Sequence, residues 1–331
     1  MKKNYKYILN DNTKVLFLAH DIILLQNHNT KKKVTINHEF YIKIVKWLEQ
    51  SRYIDNLGET FNATEIDFLK KNKIIKNVSP VLSKYIGTRY ENYQIYLENI
   101  YKDAEKKDYI NLISKNKVLF IGAGGICTSI VDYLISVGIN KLGLVDFDKV
   151  EFSNLNRQYK YSESDINKNK VDVLKNNLIH QYSNLEIDTY DKKITCEDDL
   201  ISIVKKFNPS FIICAADTPI YKIQYYIASV CMKHNIPCIF GGVGETKGTY
   251  GPLLYRKNAY KSYLKEINDI TKRVDYLFPC KGSYGITNSL ISTYMASDVI
   301  NFLMNKLKKV NSLNKRCTVD FESGDSYKTK I

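Results

Sequence analysis

From residue 117 onward the chain alternates short, continuously apolar runs with longer stretches of helical period, and this alternation restricts the fold more than any other feature. The apolar runs are KVLFIG (117–122), KLGLVD (141–146), LEIDTY (185–190), PSFIICAA (209–216) and PCIFGGV (237–243). Helical spacing follows the first run to Val137, begins again near Lys168, and covers 198–206 and 219–234. After a polar stretch it returns as an apolar helix from about 286 to 307. Strands that are apolar throughout must be covered on both faces, and strand-helix-strand order lays successive strands parallel. The expected fold class is therefore α/β, a Rossmann-like, mostly parallel sheet with helices on both faces. There are no internal repeats and no low-complexity tracts.

The first 80 residues read differently. Short runs YKYIL, KVLFLA and DIILL, separated by turn residues such as Asp11-Asn12, predict a small strand meander over 5–25. Ile36, Phe40, Ile44, Val45, Trp47 and Leu48 recur at three- and four-residue spacing and predict a helix over 36–48. Asn62 followed by Glu65 has the form of a capping box opening a helix through Leu69. Three short strands and about three helices make a small N-terminal α+β, winged-helix-like domain over 1–80. The segment 77–88 (NVSPVLSKYIGT) carries Pro80 and Gly87 and is the expected boundary, with the larger domain over 89–331.

A chain of 331 residues holds one large or two unequal domains, and 44% hydrophobic with 25% charged residues is an ordinary globular composition. No run approaches the roughly 18 apolar residues of a membrane span, and the start MKKNYKYILNDNTKV lacks a secretory apolar segment. A cytoplasmic protein with no membrane partner is expected. The seven cysteines, Cys127, Cys196, Cys214, Cys231, Cys238, Cys280 and Cys317, are odd in number and never spaced C-x-x-C. That argues against a disulfide framework and against a four-thiolate zinc site. The net charge of +14 comes mostly from lysine and is dispersed, without a recognition motif, so no nucleic-acid partner is expected. An anionic nucleotide or an acidic peptide suits the same charge.

The turn Gly122-Ala123-Gly124-Gly125-Ile126-Cys127 comes directly after an apolar strand and opens a helix. Glycines there permit a tight turn and a close approach of backbone to a phosphate at the helix N-terminus. Asp146, at the end of the next strand, stands where a dinucleotide-binding fold keeps its ribose-binding acid. On these two features alone a Rossmann oxidoreductase stays open.

The following segment, DFDKVEFSNLNRQ (146–158), resembles the signature of the ubiquitin-activating-enzyme-like (MoeB/ThiF) family, and dehydrogenases have no such segment. The resemblance implies that Gly122, Gly124, Gly125, Asp146 and Asp148 hold the nucleotide, Asp146 at the ribose hydroxyls. It implies that Asn154, Arg157 and Lys170 reach the phosphates. A guanidinium and an ammonium converging on a triphosphate neutralise charge that builds on the α-phosphorus and the leaving pyrophosphate. CAADTPIYK (214–222) resembles the family segment whose aspartate binds Mg²⁺, which would be Asp217, a hard ligand at the carboxyl end of a strand. Outside this motif Arg157 and Lys170 would be ordinary solvated charges and Asp217 a helix cap. ATP and Mg²⁺ are thus the implied cofactors, and adenylation the implied reaction.

Within the family the likeness is strongest to the microcin-maturing peptide adenylyltransferases, over about 89–320, through NKNK (167–170), AADTP (215–219), GPL (251–253), ASDVINF (296–302) and LNKR (313–316). The N-terminal unit resembles the peptide clamp of that branch, a precursor-recognition element that holds a leader peptide as an added strand. This implies a ribosomal precursor peptide bound by residues 1–80, and a homodimer. Three departures qualify the likeness. Lys261 and Leu264 stand where the family has a zinc-binding C-x-x-C, so zinc should be absent. Of two arginines before the first strand, Arg89 is kept, as a catalytic residue reaching the partner's nucleotide, and the second is Asn92. Cys127 and Asn167 replace family glycines, both mild changes.

The expected function is ATP- and Mg²⁺-dependent adenylation of a carboxyl or carboxamide group of such a peptide. Two alternatives stand beside it. One is a non-catalytic scaffold that presents a leader peptide to a separate enzyme, for which the lost zinc site and arginine speak. The other is activation of a ubiquitin-like or sulfur-carrier protein through a thioester on Cys280 in FPCKGSYG. A lone cysteine is more often a small core residue.

Overall fold

The computed structural model describes residues 6–10, 13–18, 21–26, 30–50, 52–273 and 282–331. The chain divides into two compact units, Met1–Asp108 and Tyr109–Ile331.

In the first unit the elements run β1 (Tyr7–Leu9), β2 (Lys14–Leu18), β3 (Ile22–Gln26), β4 (Lys31–Thr35), α1 (His38–Gln50), β5 (Tyr53–Ile54), α2 (Leu57–Thr60), α3 (Ala63–Lys71), β6 (Ile75–Asn77), α4 (Leu82–Tyr85) and α5 (Glu91–Ile100). They form two small antiparallel sheets, ordered β2-β3-β4 and β5-β1-β6. One sheet face is apolar at every second residue. Ile23 and Leu25 of β3 pack there against Phe40, Ile44 and Trp47, which share one stripe of α1. The capping box at α3 forms as its sequence predicts: Asn62 Oδ1 accepts from the Glu65 N–H at 2.9 Å, and the Asn62 N–H donates to Glu65 Oε2 at 2.8 Å. The 77–88 segment contains α4, and α5 follows it within the same unit.

The second unit opens with α6 (Tyr109–Ser114) and continues β7 (Lys117–Ile121), α7 (Gly125–Ser136), β8 (Lys141–Asp146), α8 (Lys170–Gln181), β9 (Glu186–Asp191), α9 (Glu197–Phe207), β10 (Phe211–Cys214), α10 (Lys222–His234) and β11 (Cys238–Val243). It closes with β12 (Lys247–Leu254), α11 (Lys257–Thr271), α12 (Gly285–Leu303), β13 (Lys315–Asp320) and β14 (Ser326–Lys330). The sheet order is β14-β13-β12-β11-β10-β7-β8-β9. The five strands expected from their apolar runs, β7 to β11, pair in parallel. The three at the other edge, β12 to β14, pair antiparallel and extend the sheet beyond the expectation.

This order places the site. β7 leads through α7 to β8 on one side, whereas its other neighbour, β10, leads through α10 to β11 in the opposite direction. With both crossovers right-handed, the two helices fall on opposite faces and a crevice opens above the carboxyl ends of β7 and β10. On one face α9, α10 and α11 share a core through Leu200, Ile203, Ile227 and Tyr260. On the other, α7 is buried along most of its length by Ile126, Ile130, Val131, Leu134 and Ile135 and packs against α12. Ser292 Oγ of α12 donates to the Ile126 carbonyl at 3.1 Å. No helix among the described residues is long and apolar enough to cross a membrane.

Candidate functional site

The crevice holds a cavity of about 600 Å³, a size suited to a nucleotide. Its floor is the glycine turn. Gly122 has φ +98°, and a Cβ there would lie 2.8 Å from the carbonyl carbon and oxygen of Ala215 and 2.9 Å from the Ala216 nitrogen, so only glycine fits. Gly124 is the N-cap of α7 and supplies no side-chain cap, which leaves first-turn N–H groups for a ligand. A Cβ on Gly125 would strike Asn288 Oδ1 at 2.5 Å. The turn thus packs against backbone at Gly122 and against the Asn288 side chain at Gly125.

Asp146 closes β8. Its Oδ2 accepts from the Ala123 N–H at 2.6 Å and its Oδ1 from the Asp148 N–H at 2.8 Å, so the carboxylate is fixed to the glycine turn. Burial pushes its pKa above the ordinary aspartate value, opposed by the Lys170 charge and by those two N–H groups. Lys170, the first residue of α8, is 5% exposed, and its ammonium lies 3.0 Å from Asp148 Oδ2. A buried ammonium needs such a partner, and Asp148 provides it.

Asn154 and Arg157 come from the loop after β8. Asn154, also 5% exposed, accepts the Glu151 N–H at 3.1 Å, which spends its oxygen on the local turn and orients its amide nitrogen. Arg157 is exposed. Its Nη1 donates to the Ser153 carbonyl at 2.9 Å and to Asn156 Oδ1 at 2.8 Å, holding the guanidinium at the cavity wall. Asp217, just past β10, accepts from Thr218 Oγ1 at 3.1 Å and is otherwise open to solvent. All nine cavity residues named from the sequence, Gly122 to Asp217, line this one space. Arg89 belongs to the first unit, where its guanidinium stacks over the Tyr90 ring at 4.9 Å and donates to the Tyr90 hydroxyl at 2.8 Å. Cys280 lies outside the described residues.

The sequence pattern of the ThiF family matches residues 94–330. The chain belongs to the ThiF family. Among curated relatives, a probable molybdopterin-synthase adenylyltransferase of Gracilaria tenuistipitata var. liui is 27% identical over 224 residues, 65% of this chain and 58% of the relative. The molybdopterin-synthase adenylyltransferase of Haemophilus influenzae is 29% identical over 167 residues, 50% of this chain and 65% of the relative. The chain thus spans little more than half the length of such relatives. Among solved structures, E. coli MccB with ATP superposes with a TM-score of 0.68 at 22% identity, covering 98% of this chain and 97% of that one. MccB in complex with N-formylated MccA gives 0.67, at 22% identity and the same coverage. At that identity the likeness establishes the fold, which is the expected one.

In this ThiF-family site the further cavity-lining side chains that the sequence did not single out include Gln158, Lys192, Gln224 and Asn288. Gln158 ends the family signature and could have been read from it. Asn288 lies in the first turn of α12, where its Nδ2 donates to Ser283 Oγ at 2.7 Å and to the Tyr284 carbonyl at 2.9 Å. Lys192 pairs with Asp199 at 2.9 Å. Among the described residues no group of three or more His, Cys, Asp or Glu side chains gathers to hold a metal. A divalent cation at Asp217 would therefore take most of its ligands from a bound phosphate and water, the usual arrangement for Mg²⁺ and one that a single exposed carboxylate fits.

Proposed function

We propose that the chain is an ATP- and Mg²⁺-dependent adenylyltransferase that activates a carboxyl or carboxamide group of a ribosomally made precursor peptide during maturation of a peptide natural product. The observation that carries this reading is the convergence of Arg157, Lys170 and Asp217 with the uncapped turn of α7 in one cavity. Asp146 takes the ribose hydroxyls and the glycine turn takes phosphate. Lys170 exchanges its Asp148 partner for phosphate oxygens, and Arg157 leaves the Ser153 carbonyl to do the same. An acyl oxygen then attacks the α-phosphorus, the bond to the bridging oxygen of the β-phosphate breaks, and pyrophosphate carries away the charge that both cations stabilise. Bound at Asp217, Mg²⁺ would add charge neutralisation at the phosphates.

The first unit, with its meander and helices, supplies the peptide affinity through residues 1–80. The protein works as a homodimer in which the partner subunit's Arg89 completes the phosphate contacts. Zinc has no part, since Lys261 and Leu264 occupy the place of a cysteine pair. A second reading, activation of a sulfur-carrier protein, is favoured by the molybdopterin-synthase adenylyltransferases among the relatives.

The test is pyrophosphate release from ATP. It is expected to require Mg²⁺ and an acyl substrate, a short peptide under the first reading and a carrier protein ending in Gly-Gly under the second. Arg157→Ala and Asp217→Ala are each expected to lower the rate by about 10²–10³ without loss of fold. A wild-type protein that binds no ATP in calorimetry would end the adenylation reading in favour of a scaffold.

A further inference from the structure

The peptide between Ala123 and Gly124, in the middle of the glycine turn, is braced by a side chain that does not line the cavity. Tyr161 is 7% exposed, and its hydroxyl donates to the Ala123 carbonyl at 2.8 Å. The Ala123 N–H is held separately, by Asp146 Oδ2 at 2.6 Å. The Ala123–Gly124 bond is trans, so its C=O and the N–H of Gly124 point in opposite directions. Gly124 and Gly125 line the cavity, whereas Ala123 and Tyr161 do not. A carbonyl drawn back onto Tyr161 therefore turns the Gly124 N–H to the cavity side. Among the described residues that N–H has no hydrogen-bond partner.

The backbone of the turn leaves that peptide two orientations. Flipping it changes ψ at Ala123 and φ at Gly124, and glycine accepts φ of either sign. The flipped turn would aim the Ala123 carbonyl at the cavity, where its oxygen would repel a phosphate. The phenol opposes the flip, because a buried hydroxyl and a buried carbonyl would each lose a partner. Burial, with the neighbouring Cys127, Asp146 and Asp148, raises the Tyr161 pKa, so the hydroxyl keeps its proton and goes on donating. Its own place is fixed by the residue before it. The Lys160 ammonium pairs with Asp132 of α7 at 2.8 Å and donates to Gln181 Oε1 of α8 at 2.7 Å, and Asn177 Nδ2 donates to the Lys160 carbonyl at 2.7 Å. Arg157 stands four residues earlier in the same loop. We propose that Tyr161 is a positioning residue for the nucleotide, locking the Ala123–Gly124 peptide so that the Gly124 N–H meets a phosphate. The inference rests on the adenylation reading, which puts the phosphates at this turn.

Tyr161→Phe removes one oxygen and keeps the ring. The full chain, in Mg²⁺, can be titrated by calorimetry with AMPCPP, a non-hydrolysable ATP analogue, and with adenosine, which has no phosphate. AMPCPP is expected to bind Tyr161→Phe about tenfold more weakly than the wild type, the worth of one good hydrogen bond. Adenosine is expected to show no difference between the two chains, a split that a merely structural role would not produce. Equal AMPCPP affinity in the wild type and Tyr161→Phe would overturn the proposal. So would a loss of adenosine in the same proportion as AMPCPP, since the hydroxyl would then support the site as a whole and not its grip on phosphate. Failure of AMPCPP to bind the wild type is a separate result, which removes the adenylation reading and this inference with it.

Discussion

Asp146 is an acid whose surroundings disfavour its charge. Burial raises its pKa, while Lys170 and the Ala123 and Asp148 N–H groups pull it back. An acid whose folded pKa exceeds its unfolded one is a burden on stability above the folded pKa, and protonation relieves that burden as pH falls through it. The proposed function runs the other way, because only the carboxylate would accept two ribose hydroxyls. ATP affinity should therefore decline on acidification, starting at a higher pH than an exposed aspartate would titrate. Calorimetry between about pH 8 and about pH 5 would trace this, and Asp146→Asn should remove the step and weaken ATP roughly tenfold or more. At the floor of the same site, Gly122→Ala puts a Cβ into the Ala215 and Ala216 backbone at a left-handed φ. A loss of about 2–4 kcal/mol in urea unfolding is expected, from backbone strain and overpacking together. Gly122, Gly124, Gly125, Asp146, Asp148, Asn154 and Arg157, named from the glycine turn and the DFDKVEFSNLNRQ segment, lie at the cavity, because a contiguous motif carries its own geometry. Gln224 and Asn288 were illegible for the opposite reason: they reach the cavity only through the packing of α10 and α12, which no local pattern encodes.

Elements with a continuous apolar signal and a clear cap were the readable ones. Asn62 and Glu65 pair as their spacing predicts, and Asn62→Ala should cost about 1 kcal/mol, seen as a lower urea midpoint with an unchanged slope. The first long helix begins two residues later than expected because Asn37 caps it, its Oδ1 accepting the Phe40 N–H at 2.8 Å. α10 begins at Lys222 rather than 219. Thr218 precedes a proline and is held out of helical conformation, and Tyr221 at φ 57° interrupts the approach. β12 to β14 left no readable trace. β12 is KGTYGPLL, with two glycines and a proline, and β14 is SYKTK, exposed at every residue, so neither shows the alternation that marks a strand. α11 hid inside the polar stretch because only Tyr260, Tyr263 and Ile267 of its fifteen residues are buried.

At the scale of the molecule, the composition restricted the class of protein but said nothing of assembly. If the partner subunit's Arg89 completes the site, light scattering at micromolar protein should give twice the 38.4 kDa of one chain, and a mass near 38.4 kDa would count against it. The strand order has a consequence for synthesis. β7 finds its neighbour β10 only after some ninety residues of intervening chain, and the cavity wall includes Asn288, far downstream of the glycine turn. Non-local pairing of this kind is slow to form and leaves apolar strands uncovered until the late partner arrives. A nascent chain emerging from the ribosome would carry Gly122, Asp146, Arg157 and Lys170 long before the wall that encloses them. Premature termination between Asp217 and α12 would then yield a fragment with the residues proposed to meet the phosphates and no enclosed pocket, prone to degradation and unable to trap ATP unproductively.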